Sequence, residues 1–232
     1  MSICFDLISD LYLTPESVFD WQNKPTSLYC IIAGNISDNL KVVSSTLQHL
    51  SRVYQGVFYI PGYLEYSLSK DYEKTNDDIA RIVSKYKNCA LLQNHVVIIN
   101  GVAILGCNGW HTKNAIEDEY KKEMIGTYRY DDLVYVKNSI DKLQKHLDIK
   151  RIVMVSNAVP LNYLYYGETP KHLLNEPELA LTLVGDSEGK VSNWVFGTYE
   201  KIVDTTIGNI NYLNNSYLDK SPYWPKRFEV KF

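Results

Sequence analysis

Acidic and amide side chains recur just after short apolar runs early in the chain. Asp10 follows Ser2–Ile8, Gly34-Asn35-Ile36-Ser37-Asp38 follows Ser27–Ala33, and Pro61-Gly62-Tyr63-Leu64-Glu65 follows Gly56–Ile60. Each run has the length and flanks of a buried strand. Loops at the carboxyl ends of neighbouring strands open onto one crevice in α/β proteins. Carboxylates and amides gathered there would suit a metal ion or a phosphoryl group. The same residue types are also ordinary turn formers. The clustering alone leaves both readings open.

The elements that must position these residues can be read from periodicity. Leu40–Val53 has apolar positions at helical spacing, with Ser37 or Asp38 available as its cap. Glu65–Tyr86 is polar and helical in spacing, and Asp131–Leu147 returns to that period. Between them, Cys89–Cys107 alternates short apolar runs with Asn and Gly. Asn100-Gly101 within it is a strong hairpin signal. Arg151–Val155 reads as another buried strand. Trp194–Phe196, Ile202–Thr206, Ile210–Leu213 and Phe228–Phe232 are strand-like, and Ile207-Gly208-Asn209 is the turn of a hairpin. Strands alternate with helices first and with turns later. That order suits two packed sheets with helices outside.

The 232 residues carry 24 Lys and Arg against 27 Asp and Glu, a net charge of −3. No extended electropositive field is expected, so nucleic acid is not an expected partner. Cys4, Cys30, Cys89 and Cys107 include no Cys-x-x-Cys pair, which argues against a zinc ribbon or redox pair. Cys4 and Cys30 lie in apolar runs and are expected as buried thiols, in keeping with a reducing compartment. Asp6 and Asp10 interrupt the first apolar run, so no signal peptide is read there. No run is long enough to cross a bilayer. These features lead us to expect a cytoplasmic protein, or one packaged in a particle made there, with no membrane partner.

Six short segments, taken in order, carry a family resemblance. They are Ile8-Ser9-Asp10-Leu11-Tyr12-Leu13, Ile32-Ala33-Gly34-Asn35-Ile36-Ser37-Asp38, Ile60-Pro61-Gly62-Tyr63-Leu64-Glu65, the Ile99–Gly106 hairpin followed by Trp110, Val153–Pro160, and Trp194-Val195-Phe196-Gly197-Thr198-Tyr199-Glu200. In that order the chain resembles the calcineurin-like metallophosphoesterase family, of the small bacterial and phage type, over nearly its whole length. The resemblance implies an α/β fold: a four-layer αββα sandwich of two packed mixed sheets flanked by helices, with 1–232 as one domain.

It also implies a degenerate site. Active members hold two metal ions with imidazoles and carboxylates, and the metals activate a water and clamp phosphoryl oxygens. Asp10 keeps its identity. Tyr12 stands where the first His belongs, and Asn35 where the bridging Asp belongs. Tyr63 replaces the metal-binding Asn, and Leu64 the His that assists proton transfer. Asn157 and Ala158 replace a His pair, Thr198 and Glu200 the last two His, and Phe196 the one before them. None of His49, His95, His111, His146 and His172 falls on a ligand position, and His111 beside Trp110 reads as a surface residue. Glu65 completes the vestigial site.

The expectation is therefore a catalytically inactive pseudoenzyme with no metal cofactor. Tyr12, Tyr63, Leu64 and Phe196 are expected to fill the crevice, and the chain to act through a protein partner or as a homo-oligomer. The stretch Tyr217–Phe228, with Pro222, Tyr223, Trp224 and Pro225, is the expected contact patch. Asn-, Lys-, Tyr- and Ile-rich usage is similar to that of AT-rich phage genomes, which suggests a virion component. A regulatory subunit that pairs with an active relative is a further reading. The competing reading is a residual phosphoesterase or phosphate binder. It would hold one hard cation (Mg, Mn or Ca) at Asp10, Asn35, Asn157 and Glu200, with Asp38 near.

Overall fold

The computed structural model describes residues 2–17, 25–69, 71–109, 119–161, 164, 186–199, 201–217 and 223–232, with side chains of 119–129 excepted. Two mixed sheets carry the fold. The first contains β1 (Ser2–Ile8), β2 (Tyr29–Ala33), β3 (Gly56–Ile60), β4 (Cys89–Leu91) and β11 (Lys226–Lys231), in the order β11-β1-β2-β3-β4. The second contains β5 (His95–Ile99), β6 (Val102–Cys107), β7 (Arg151–Ser156), β8 (Val191–Phe196), β9 (Asp204–Ile207) and β10 (Ile210–Leu213), in the order β5-β6-β7-β8-β10-β9. β1 to β4 run parallel, as do β6, β7, β8 and β10. Antiparallel strands stand at the edges: β11 on the first sheet, β5 and β9 on the second.

Three apolar clusters separate four layers. Ile31, Ala33, Phe58, Ile60, Ile104, Val153, Val155 and Val195 fill the space between the sheets. The alternate residues of the same strands face outward. Cys30, Ile32, Val57 and Tyr59 pack with Val43, Leu47 and Leu50 of α1 (Leu40–Val53) and Ile79 and Val83 of α3 (Tyr72–Val83). On the far side Ile152, Met154, Trp194 and Phe196 pack with Val136, Ile140 and Leu143 of α4 (Glu119–Leu143). Strands covered on both faces need apolar residues at every position, which is why they read as continuous runs. This is the expected αββα sandwich.

Several boundaries differ from expectation for local reasons. Asn39, not Ser37 or Asp38, caps α1, accepting from Lys41 N at 2.9 Å. Ser37 is occupied elsewhere, its hydroxyl donating to the Leu13 carbonyl at 2.6 Å. The helical stretch after Glu65 is two helices, α2 (Tyr63–Tyr66) and α3. Asp71 stops any continuation by capping α3 through Lys74 N. The Asn100-Gly101 and Gly208-Asn209 turns fall where expected. Among the cysteines, Cys30 and Cys107 are buried while Cys4 and Cys89 are half-buried, and all are free thiols. No described helix is long and apolar enough to cross a membrane.

Candidate functional site

The parallel strands of both sheets end on the same rim, and their loops deliver Asp10, Asn35, Gly62–Glu65, Asn157 and Thr198 to one place. Asp10 is held there from behind. Ser9 donates its backbone N–H to the Asn215 carbonyl at 3.1 Å, and Asn215 Nδ2 donates to the Leu7 carbonyl at 2.9 Å. The Tyr223 hydroxyl closes the clamp by donating to the Asn215 carbonyl at 2.5 Å.

The side chains meet in a closed hydrogen-bond network. Asn35 Nδ2 donates to Asp10 Oδ1 at 2.8 Å and to Thr198 Oγ1 at 3.1 Å. The Thr198 hydroxyl donates to Asn157 Oδ1 at 2.8 Å, and its backbone N–H donates to Asp10 Oδ1 at 2.8 Å. Backbone groups fix which way each amide points. Asn35 Oδ1 accepts from Leu64 N at 3.0 Å, so its NH2 must face Asp10. Asn157 Oδ1 accepts from Tyr63 N at 3.2 Å while its Nδ2 donates to the Ala33 carbonyl at 3.0 Å. Flipping either amide would set N–H against N–H. A cation bound by Asn35 at this point would therefore face hydrogens rather than a lone pair.

Glu65 sits beside this network and serves the backbone. It accepts from Ile36 N at 2.6 Å, Gly62 N at 2.7 Å and Asn35 N at 3.2 Å. Burial pushes its carboxyl up to about 7, against the pull first of the Ile36 N–H and then of the Gly62 N–H. Burial likewise pushes the Asp10 carboxyl up to about 6, opposed first by Asn35 and then by the Thr198 N–H. Ser9 and the Tyr199 N–H add weaker pulls in the same direction, while Asp10 Oδ2 is buried and has no hydrogen-bond partner of normal geometry among the described residues.

The loops are tightly built. Asp10, Tyr12, Asn35 and Thr198 take left-handed φ values of 53°, 48°, 57° and 55°. Asp and Asn tolerate that region, but for a β-branched Thr it is an outlier that the surrounding bonds must hold. Gly62 is required by close approach, since a Cβ there would lie 2.5 Å from Asn35 N and 2.7 Å from Asn157 Nδ2.

The expected filling of the crevice by bulky side chains is not what the structure shows. Tyr12 is 54% and Tyr63 44% exposed, and Leu64 is only half-buried. Phe196 points away into the layer under α4. Ala158 is buried beside the rim, where its N–H donates to the Asn108 carbonyl at 3.1 Å. Asp38 is exposed and joins no part of the network. Glu200, Trp110 and His111 lie outside the described residues; of the expected cation set, Asp10, Asn35 and Asn157 are described and meet here, beside Thr198. No group of three or more His, Cys, Asp or Glu side chains among the described residues is placed to hold a metal ion. Of the expected contact patch, residues 218–222 lie outside the described residues and the rest are mixed in exposure. Tyr223 and Pro225 are buried and Trp224 is exposed, while Pro222 lies outside the described residues. Sequence reading missed the backbone partners, Ala33 O, Tyr63 N and Leu64 N, which no residue type announces.

Comparison with solved structures places this scaffold. The phosphopantetheinyl hydrolase of Mycobacterium tuberculosis superposes with a TM-score of 0.71 over 97% of this chain and 95% of its own, at 12% identity. A putative 5'-nucleotidase of Staphylococcus aureus gives a TM-score of 0.58 over 93% of this chain and 49% of its own, at 11% identity. The chain therefore has the metallophosphoesterase-like fold, which at such identities says nothing of activity. No family model matches the sequence. An uncharacterized protein of Acanthamoeba polyphaga mimivirus is 23% identical over 140 residues, 56% of this chain; the match spans half the length of that relative.

Proposed function

We propose that this chain is a catalytically inactive member of the metallophosphoesterase-like superfamily that works as a structural or protein-interaction component. One observation carries the reading: the Asn35 amide, oriented by Leu64 N, aims its N–H groups at Asp10 and Thr198 where a bridging carboxylate would offer lone pairs. A two-metal centre needs that bridge, and by the family resemblance its imidazole positions fall on Tyr12, Asn157, Ala158, Phe196, Thr198 and Glu200. Composition and the mimivirus relative support a virus-encoded protein, and among such proteins a virion accessory suits a scaffold without chemistry.

The test is calorimetric titration with Mn, Zn, Mg and Ca, paired with a generic phosphodiester assay in Mn. We expect no binding tighter than about 1 mM and no turnover above buffer. Hydrolysis abolished by Asp10→Ala would sink the reading. A second reading, one hard cation without catalysis, has a specific observation behind it in Asp10 Oδ2, which has no partner among the described residues. Binding of a single Mg or Mn, lost in Asp10→Asn, would establish it instead.

A further inference from the structure

The two open sides of the sandwich are finished differently. On one side the sheets end in β9 and β11. β11 carries Lys226, Arg227, Glu229 and Lys231, and Lys226 Nζ reaches Asp204 Oδ2 of β9 at 2.9 Å. Charges on an edge strand oppose pairing with another chain. On the other side the sheets end in β4 and β5. β4 is only three residues long. β5 is His95-Val96-Val97-Ile98-Ile99, with no Lys, Arg, Asp, Glu, proline or bulge. It pairs with β6 along one edge, and no strand among the described residues pairs with the other. Ile98 is 57% exposed.

The hairpin determines which backbone groups that free edge offers. Asn100 and Gly101 have φ values of 48° and 84°, as the primed two-residue turn requires. The turn's own hydrogen bond joins Ile99 to Val102. Alternation then directs the N–H and C=O of Val97 toward β6 and those of Val96 and Ile98 outward.

We propose that β5 pairs antiparallel with β5 of a second copy of this chain, with Val97 opposite Val97 across a two-fold axis. In that register Val96 of each copy faces Ile98 of the other. Each such pair exchanges two N–H···O bonds, so every outward group of Val96 and Ile98 finds a partner. The exposed Ile98 side chain packs on Val96 of the second copy, and His95 stands opposite Ile99. No like charges oppose one another, although the chain carries a net charge of −3. β5 offers no charge with which to select a different partner, whereas its own sequence is complementary about Val97. The contact is isologous and closes at two copies. It joins two second sheets into one continuous sheet. The inference rests on the interaction reading above for its purpose, and it names the partner as the chain itself without using the crevice.

Sedimentation velocity of the full chain, from about 1 to 100 µM, tests it. We expect a reversible monomer–dimer equilibrium. Ile98→Lys should weaken the dimer at least about tenfold, because each lysine meets an apolar neighbour. Its melting temperature should stay within about 4 °C of the parent, since the side chain is exposed. Val97→Cys should crosslink into a covalent dimer on mild oxidation, beyond any background from the four native cysteines. The opposed Cα atoms would lie about 4.5 Å apart, within disulfide reach. Ile98→Cys, out of register, should not crosslink. A monomer at every concentration, or a dimer indifferent to Ile98→Lys and uncrosslinked at Val97→Cys, would overturn the proposal. Neither result touches the metal titration, so the two readings fail separately.

Discussion

Asp10 and Glu65 are two buried carboxylates on one crevice rim, and they have been treated in opposite ways. Glu65 is enclosed by backbone N–H groups from two loops and ties the turn after β2 to the turn after β3. Its task is to satisfy donors that the fold itself creates. Asp10 has one oxygen spent on Asn35 and Thr198 and the other buried without a partner among the described residues. The difference separates a carboxylate that serves the backbone from one that does not. A carboxylate that caps backbone is indispensable whatever the site does.

The comparison breaks most visibly at Glu65. Glu65→Gln keeps the shape but sets an NH2 against at least one of the Gly62, Asn35 and Ile36 N–H groups. Each buried orphan costs about 1–3 kcal/mol. We expect a loss of about 3–5 kcal/mol, measured as a lowered urea midpoint with unchanged slope. A loss under about 1 kcal/mol would mean the loops satisfy their own donors and the contrast with Asp10 is false.

Asn35→Asp introduces the charge that a bridging carboxylate would carry. It also puts a second carboxylate 2.8 Å from Asp10 Oδ1. Two carboxylates that close cannot both ionise freely. We expect a loss of about 2–3 kcal/mol at pH 8, smaller at pH 5, where the pair shares a proton. About 1 mM Mn should not restore the loss, because ligand binding stabilises only where a site exists. Recovery with Mn would show that one substitution separates this crevice from a metal centre.

Asp10→Asn addresses the half-satisfied carboxylate itself. The Asp10 carboxyl sits at about 6 in the folded chain against 3.8 in the open one. A raised carboxyl means the folded state holds its proton more tightly. Stability from this group is therefore full below about pH 4, falls as pH rises to about 6, and is flat above. Glu65 adds a similar fall between 4.5 and about 7. Asp10→Asn should abolish the lower of the two declines in a plot of unfolding free energy against pH. At pH 8 removing the buried charge returns about 3 kcal/mol, and the new unpartnered NH2 takes back about 1–3. The variant should thus equal or slightly exceed the parent at pH 8 and be the weaker one at pH 4.

The fold was legible because buried strands and turns announce themselves by residue type. Ile32 and Ile31 must both be apolar when each faces a different core, and Asn100-Gly101 must turn. The motif order then placed Asp10, Asn35, Asn157 and Thr198 together. What the site does with them was less legible. That Tyr12 and Tyr63 would lean outward depends on backbone directions, left-handed in the case of Tyr12, that no periodicity encodes. The orientation of Asn35 depends on one backbone N–H at Leu64, a donor every residue but proline possesses.

Tyr63 gives the finest test, because it separates backbone from side chain at one position. Tyr63 is the first residue of α2, and its N–H donates to Asn157 Oδ1 at 3.2 Å. The ring is 44% exposed. Tyr63→Ala should cost less than about 1 kcal/mol, since the network uses nothing beyond Cβ. Proline is ordinarily welcome at the first helical position, where the N–H has no intrahelical partner. Here it would remove the donor that orients Asn157. Tyr63→Pro should cost about 1–2 kcal/mol more than Tyr63→Ala, read as a difference in urea midpoints. If alanine proves the more damaging change, the tyrosine ring is part of the site, and the crevice is closed by side-chain bulk rather than by inward-turned amides.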